Sequence, residues 1–371
     1  MKFLTRRVFS LGTVILLHVT FSLAVIMAWT AIKRDWDFSE TSFSNENSYV
    51  SGDTDEFNAA AVVISAQFRY LHFNHLVFYL FNIVVSATTV IVFFNLARTG
   101  LGRKLSLYVT ALFAFNPEFV FYNNFVLKEN MLILVVVVAM YFFFRSLATN
   151  LLIYKILFCL LLPLIPLLRK PLILMGLLPL VFLPKCTKRL MFLSGIAAAS
   201  GLFLVMLSSC WTSAIGNYGV TKVLFEDIYG VPTFVTFGTL FTSPVLFAEY
   251  FLRSLLYYIR PGWSAGIKLN SFLIPYTLFV VYVFLASFPH RKSLAPAYRT
   301  AYAFIALIII LVSVIFIVYD PVERYRYSVF QLAFTLLVLN LKGYQEHLRQ
   351  PVLEPAVGHS IVSRQAAAGT C

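Results

Sequence analysis

Ala301 to Leu341 reads AYAFIALIIILVSVIFIVYDPVERYRYSVFQLAFTLLVLNL. Two apolar runs, Ala301 to Tyr319 and Ser328 to Leu341, flank one charged cluster, Asp320-Pro-Val-Glu-Arg-Tyr-Arg-Tyr327. A helix needs about 20 apolar residues to cross the hydrocarbon of a bilayer, and the first run has that length. A charge held in that hydrocarbon costs roughly 2.5–3.5 kcal/mol on insertion scales, so the cluster belongs at a membrane boundary. There Glu323, Arg324 and Arg326 meet anionic head groups or phosphates. The planar fork of Arg matches phosphate oxygens well. Arg and Tyr also serve as plain interfacial anchors at helix ends, and from these residues alone both readings stand.

The rest of the chain agrees with a membrane setting. Of 371 residues, 60% are hydrophobic and 12% charged, with a mean hydropathy of +0.83. Soluble domains carry about 25% charged residues. The expected fold is therefore an all-α transmembrane bundle. Ten runs are candidates for spans: 9–31, 72–97, 105–123, 128–147, 151–168, 171–184, 190–210, 268–288, 300–319 and 328–341. The fifth and sixth are short and proline-rich (Pro163, Pro166, Pro171, Pro179, Pro184), as in a broken or re-entrant pair. The first is too long for the apolar part of a signal peptide, and no small-residue cleavage site follows it. Residues 1–342 form one transmembrane domain, and 343–371 read as a polar, disordered tail.

Basic residues set the orientation. With the N-terminus in the cytoplasm, inner segments hold 17 of the 29 basic residues and two of the 16 acids. Excess Lys and Arg mark cytoplasmic loops, so both termini are expected inside. The net charge of +13 then reflects topology and attraction to anionic lipid, and nucleic acid is not an expected partner.

Nearly all acids fall on the outer side, in three places besides the Asp320–Tyr327 cluster. The first outer loop, from Lys33 to about Tyr70, carries Asp35 and Asp37, then Gly52-Asp-Thr-Asp-Glu-Phe57, then FNAAAVVISAQFRY (57–70). The last stretch has the composition of an interfacial helix. Asp53, Asp55 and Glu56 would open it, where the helix dipole favours acids. The alternative is chemical: a general base, or an Asp-X-Asp pair holding a hard cation such as Mg or Mn. The second place is Asn116-Pro-Glu-Phe followed by Tyr122-Asn-Asn-Phe-Val-Leu-Lys128-Glu129-Asn130. Glu129 suits a helix start; Lys128 does not and so asks for another partner. Glu118 is a weaker candidate. The third is the long segment 211–267, with Glu226, Asp227, Glu249, Arg253 and Arg260. Arg169-Lys170-Pro171 breaks the sign pattern by placing cations outside; snorkelling and a phosphate contact both account for it.

Taken together, these features resemble the GT-C superfamily of membrane glycosyltransferases, in particular the bacterial relatives of protein O-mannosyltransferases and aminoarabinose transferases. The residues that carry the resemblance are GDTDEF (52–57), NPEFVFYNNFVLKEN (116–130), LLRKP (167–171) and ERYRYSVFQLAF (323–334). It implies transfer of a sugar from a polyprenyl-phosphate donor to a glycan, lipid or protein acceptor on the outer face, with inversion, with no cofactor other than a divalent cation (Mg or Mn), and in a bacterial inner membrane. It also implies roles: Asp53, Asp55 and Glu129 as catalytic acids; Lys128, Arg169, Arg324, Tyr325 and Arg326 as donor contacts; Asp53 and Asp55 as metal ligands if a metal is used. Two acid clusters in the first loop, and no soluble domain after the last span, depart from that pattern. A repeat-unit polymerase or O-antigen ligase, and a lipid-linked substrate transporter or flippase, are the alternative readings. No paired outer cysteines and no Cys/His zinc spacing occur.

Overall fold

The computed structural model describes residues 10–33, 75–121, 129–168, 170–182, 266–319 and 327–349. Among these residues every regular element is helical. In chain order they are α1 (Leu11–Lys33), α2 (His75–Gly100), α3 (Arg103–Ala114), α4 (Pro117–Phe121), α5 (Glu129–Thr149), α6 (Leu152–Leu161) and α7 (Leu164–Leu168). A first 3₁₀ helix (Lys170–Phe182), α8 (Gly266–Ser287), a second 3₁₀ helix (Phe288–Ser293), α9 (Pro296–Tyr319) and α10 (Tyr327–Arg349) follow.

The apolar runs form helices, the form in which a segment satisfies its own backbone groups where a bilayer would offer them no hydrogen-bond partners. Tyr79–Gly100 and Asn130–Thr149 are long and apolar enough to cross a membrane. Their surfaces fit that setting. On α2, Val90, Phe93 and Leu96 are buried while Val84 on another face is 63% exposed; on α8, Leu285 is 62% exposed. Large aliphatic side chains turned outward along several helices suit lipid rather than water.

Prolines place the interruptions. Pro163 separates α6 from α7, and Pro171 and Pro179 lie in the first 3₁₀ helix. At roughly 2.0 Å per residue, a 13-residue 3₁₀ helix reaches about 26 Å, where an α-helix of that length would reach about 20 Å. A short run thus covers most of a hydrocarbon layer of about 30 Å.

α2, α5 and α10 form the centre. α1 and α3 pack on α2, α6 and α7 on α5, and α9 bridges α10 and the first 3₁₀ helix. α8 lies against α10 and α4. Buried hydroxyls mostly turn back on their own helices: Thr89 donates to Val85 O at 2.8 Å, Thr110 to Ser106 O at 2.7 Å and Thr335 to Gln331 O at 2.7 Å.

One end of the bundle gathers the predicted inner cations. The Gly102 N–H donates to Gln345 Oε1 at 3.2 Å, joining the α2–α3 turn to α10. Lys342 pairs with Glu346 at 2.9 Å and sits 4.6 Å over the Tyr298 ring. His290 packs on Tyr344 and His347, each with ring centres 4.9 Å apart. Arg299 Nη2 donates to Lys292 O at 2.8 Å and Leu294 O at 3.1 Å, closing the second 3₁₀ helix.

This end corrects the expected boundary of the tail. Residues 343–349 are the last turns of α10, held against the second 3₁₀ helix. Gly343 makes the approach possible: a Cβ there would collide with the carbonyl group of His290. Gly343→Ala is expected to destabilise the protein by about 1–3 kcal/mol, the usual scale of overpacking. Thermal unfolding in detergent checks this, with the exposed Gly102→Ala as the comparison.

Candidate functional site

The third predicted span is not one helix. α3 ends at Ala114 and α4 starts at Pro117, so the chain breaks inside the helical stack. Asn116-Pro117 explains the break. Proline lacks an N–H and fits the first position of a helix, and asparagine is a preferred N-cap. Asn116 Oδ1 accepts from the Phe119 N–H at 3.1 Å, which caps α4. The Asn116 N–H turns to Phe113 O at 3.3 Å rather than to Leu112 O. The last carbonyls of α3 therefore need other donors.

Two distant side chains supply them. Tyr276 on α8 donates its hydroxyl to Leu112 O. His18 on α1 places Nδ1 2.8 Å from Ala114 O and Nε2 3.0 Å from Ser86 Oγ on α2. A carbonyl can accept but not donate, so Nδ1 of His18 carries a hydrogen. The Ser86 hydroxyl hydrogen has two acceptors in reach, Nε2 and Ile83 O at 3.0 Å. His18 is fully buried and stacks on Phe119, ring centres 5.4 Å apart. Phe93, Phe113, Phe119, Phe330 and Phe334 close the space beneath α4; Phe113 lies 4.1 Å from Phe93 and 5.0 Å from Phe330 between ring centres.

His18 was missed in the sequence. One histidine in an apolar run is itself the signal, since ionisable residues inside a membrane are costly and seldom idle. His18→Leu is expected to cost about 1–3 kcal/mol, because it leaves the buried Ala114 carbonyl without its donor. Tyr276→Phe should do the same at Leu112. Unfolding of both variants and the double variant, titrated with denaturing detergent, tests whether the two clamps act on one break.

Asp35, Asp37, Asp53, Asp55, Glu56, Lys128, Arg169, Glu323, Arg324, Tyr325 and Arg326 lie outside the described residues, as does the expected interfacial helix 57–70. Glu129 is the first residue of α5 and Glu118 lies in α4. The helices that lead to these segments share one end of the bundle. Chain alternation puts Lys33, His75, Phe121, Glu129, Tyr319 and Tyr327 at the end opposite Gly102, His290 and Gln345. The Phe330 contact brings the start of α10, four residues after Arg326 in sequence, onto Phe113 and Phe119 at the break. Among the described residues, no group of three His, Cys, Asp or Glu side chains is placed to hold a metal ion. Cys159 is a free, exposed thiol.

No family model, no curated protein and no solved structure matches this chain.

Proposed function

We propose that the chain is a ten-span membrane glycosyltransferase of the GT-C type. It moves a sugar from a polyprenyl-phosphate donor to an acceptor at the outer face, as part of cell-envelope glycan or glycolipid assembly. One observation supports this most: α1, α2, α4, α5 and α10 present to the same end of the bundle the chain ends that continue into the acidic and Arg-rich segments. Those segments hold both kinds of group the reaction needs. A carboxylate takes the acceptor proton, and cations neutralise the lipid phosphate as it leaves. Asp53 or Asp55 is the base in this reading, with Glu129 beside it; Lys128, Arg169, Arg324, Tyr325 and Arg326 hold the donor. A divalent cation at Asp53 and Asp55 would further neutralise the phosphate.

The test is transfer of sugar from a polyprenyl-phosphate donor in proteoliposomes, with each of these residues replaced in turn. Donor-independent behaviour in every variant would count against the reading.

His18 is the observation that favours a transporter, since transporters keep ionisable groups at mid-depth. Both its ring nitrogens, however, are engaged with Ala114 and Ser86, which is a structural task. Substrate uptake into proteoliposomes, measured beside transfer, separates the two readings.

A further inference from the structure

The inner ends of α5 and α6 carry cations within a stretch of sequence that holds no acid. From Asn130 through Phe225 the sequence has eight Lys or Arg and not one Asp or Glu in 96 residues. Arg145 and Lys155 are two of the eight, on either side of the turn from α5 to α6. The Arg145 guanidinium carbon lies 6.0 Å from the centre of the Tyr141 ring and 5.6 Å from that of Tyr154. Its Nε is buried and has no hydrogen-bond partner among the described residues. Lys155 folds back toward the start of α6: Nζ donates to Asn150 Oδ1 at 2.8 Å and lies 5.7 Å over the Phe182 ring. Asn150 makes this turn with a left-handed backbone, φ 54°. Leu151, at the N-cap of α6, supplies no side-chain cap to the first N–H groups of that helix. Along the same helix Leu152, Ile156 and Leu160 point outward, 69%, 45% and 66% exposed.

We propose that Arg145, Lys155 and the first turn of α6 bind the phosphate of an anionic phospholipid of the inner leaflet, with an acyl chain along Leu152, Ile156 and Leu160. Arg145 is half-buried, and a phosphate oxygen reaching its guanidinium makes a charge-assisted contact that several donors can share. The two tyrosine rings flank the guanidinium and favour its charge at this place. Uncapped N–H groups add a partial positive charge on the same side. The aliphatic strip, one residue per turn, distinguishes a lipid from free phosphate. This site is independent of the outer-face chemistry proposed above.

The test is native mass spectrometry of the full-length protein released from detergent holding equal phosphatidylglycerol and phosphatidylcholine. Wild type should retain phosphatidylglycerol preferentially. Arg145→Gln and Lys155→Gln should each weaken that retention about tenfold, the scale of one contact to a charged group. Arg103→Gln, an exposed cation on the α2–α3 turn, should leave it unchanged. Arg145→Lys should fall between wild type and Arg145→Gln, since it keeps the charge and loses the fork. Should Arg145→Gln fail to fold, Lys155→Gln carries the test. Unchanged retention in Lys155→Gln overturns the proposal, and so does an equal loss in Arg103→Gln, which would mean a diffuse surface charge. Complete displacement of the lipid by excess inorganic phosphate would also overturn it, as the mark of a free-phosphate site.

Discussion

Asp53→Asn and Asp55→Asn are expected to lower sugar transfer by about 10²–10⁴ for whichever residue is the base, the usual contribution of general base catalysis. The amide keeps the size of the carboxylate and loses its charge and basicity, so folding should be unaffected. Arg324→Ala should act differently. It removes a charge-assisted phosphate contact, so donor binding weakens together with turnover. Transfer assays across donor concentrations separate the two patterns: a fall in kcat alone for the acid, and a rise in KM with the fall in kcat for the arginine. Full activity in both Asp variants moves the base to Asp35, Asp37 or Glu129. Full activity in all five acid variants, with no dependence on donor, leaves the transporter as the better account.

Phe113→Ala is expected to be the most destabilising core substitution. Phe113 is fully buried, stacks on Phe93 and Phe330, and touches Phe119 at 5.2 Å and Phe334 at 5.5 Å between ring centres. It ties α2, α3, α4 and α10 together at the break. Removing a buried Phe side chain costs about 3–5 kcal/mol in water-soluble proteins. In a bilayer the separated helices remain in apolar surroundings, so the loss is mainly dispersion contacts and the cavity. A cost of about 3 kcal/mol, at the low end of that range, is therefore expected. Unfolding by denaturing detergent measures it, with Tyr108→Ala, on the exposed side of the same helix, as control. Equal losses in the two variants would show that the aromatic stack is not what holds the break.

The positions of the long helices were legible because lipid makes apolar length almost sufficient. α2 at His75–Gly100 and α5 at Glu129–Thr149 fall within three residues of the runs read from sequence. Asn116-Pro117 was legible as a motif but was read as part of an outer constellation. The structure places it between two helices, with Phe113, Ala114, Phe119 and Val120 all fully buried around it. What it does there depends on His18 and Tyr276, and their acceptors are backbone carbonyls, which have no identity in sequence. The end of α10 was hidden for another reason. Lys342-Gly-Tyr-Gln-Glu-His347 is polar and looks like the start of a tail, but its Lys342–Glu346 pair and Gly343 contact are made only once the second 3₁₀ helix is in place. The candidate catalytic acids were read from segments of sequence where no periodicity constrains the reading; of them the described residues include the backbone of Glu129 alone, at the start of α5.

The clamped break also sets an order of assembly during synthesis. The donors to α3 come from opposite ends of the chain. His18 is 96 residues ahead of Ala114, so it is already in the membrane when α3 emerges. Tyr276 comes 164 residues after Leu112. At roughly 5–20 residues per second, a ribosome needs about 8–33 s to make that stretch. Through this interval the Leu112 carbonyl waits without the hydroxyl that finally satisfies it. The N-terminal helices can therefore dock early around His18, while the interface that receives α8 stays open until late in translation. A chain stalled before Tyr276 would lack the donor that closes the Leu112 side of the break.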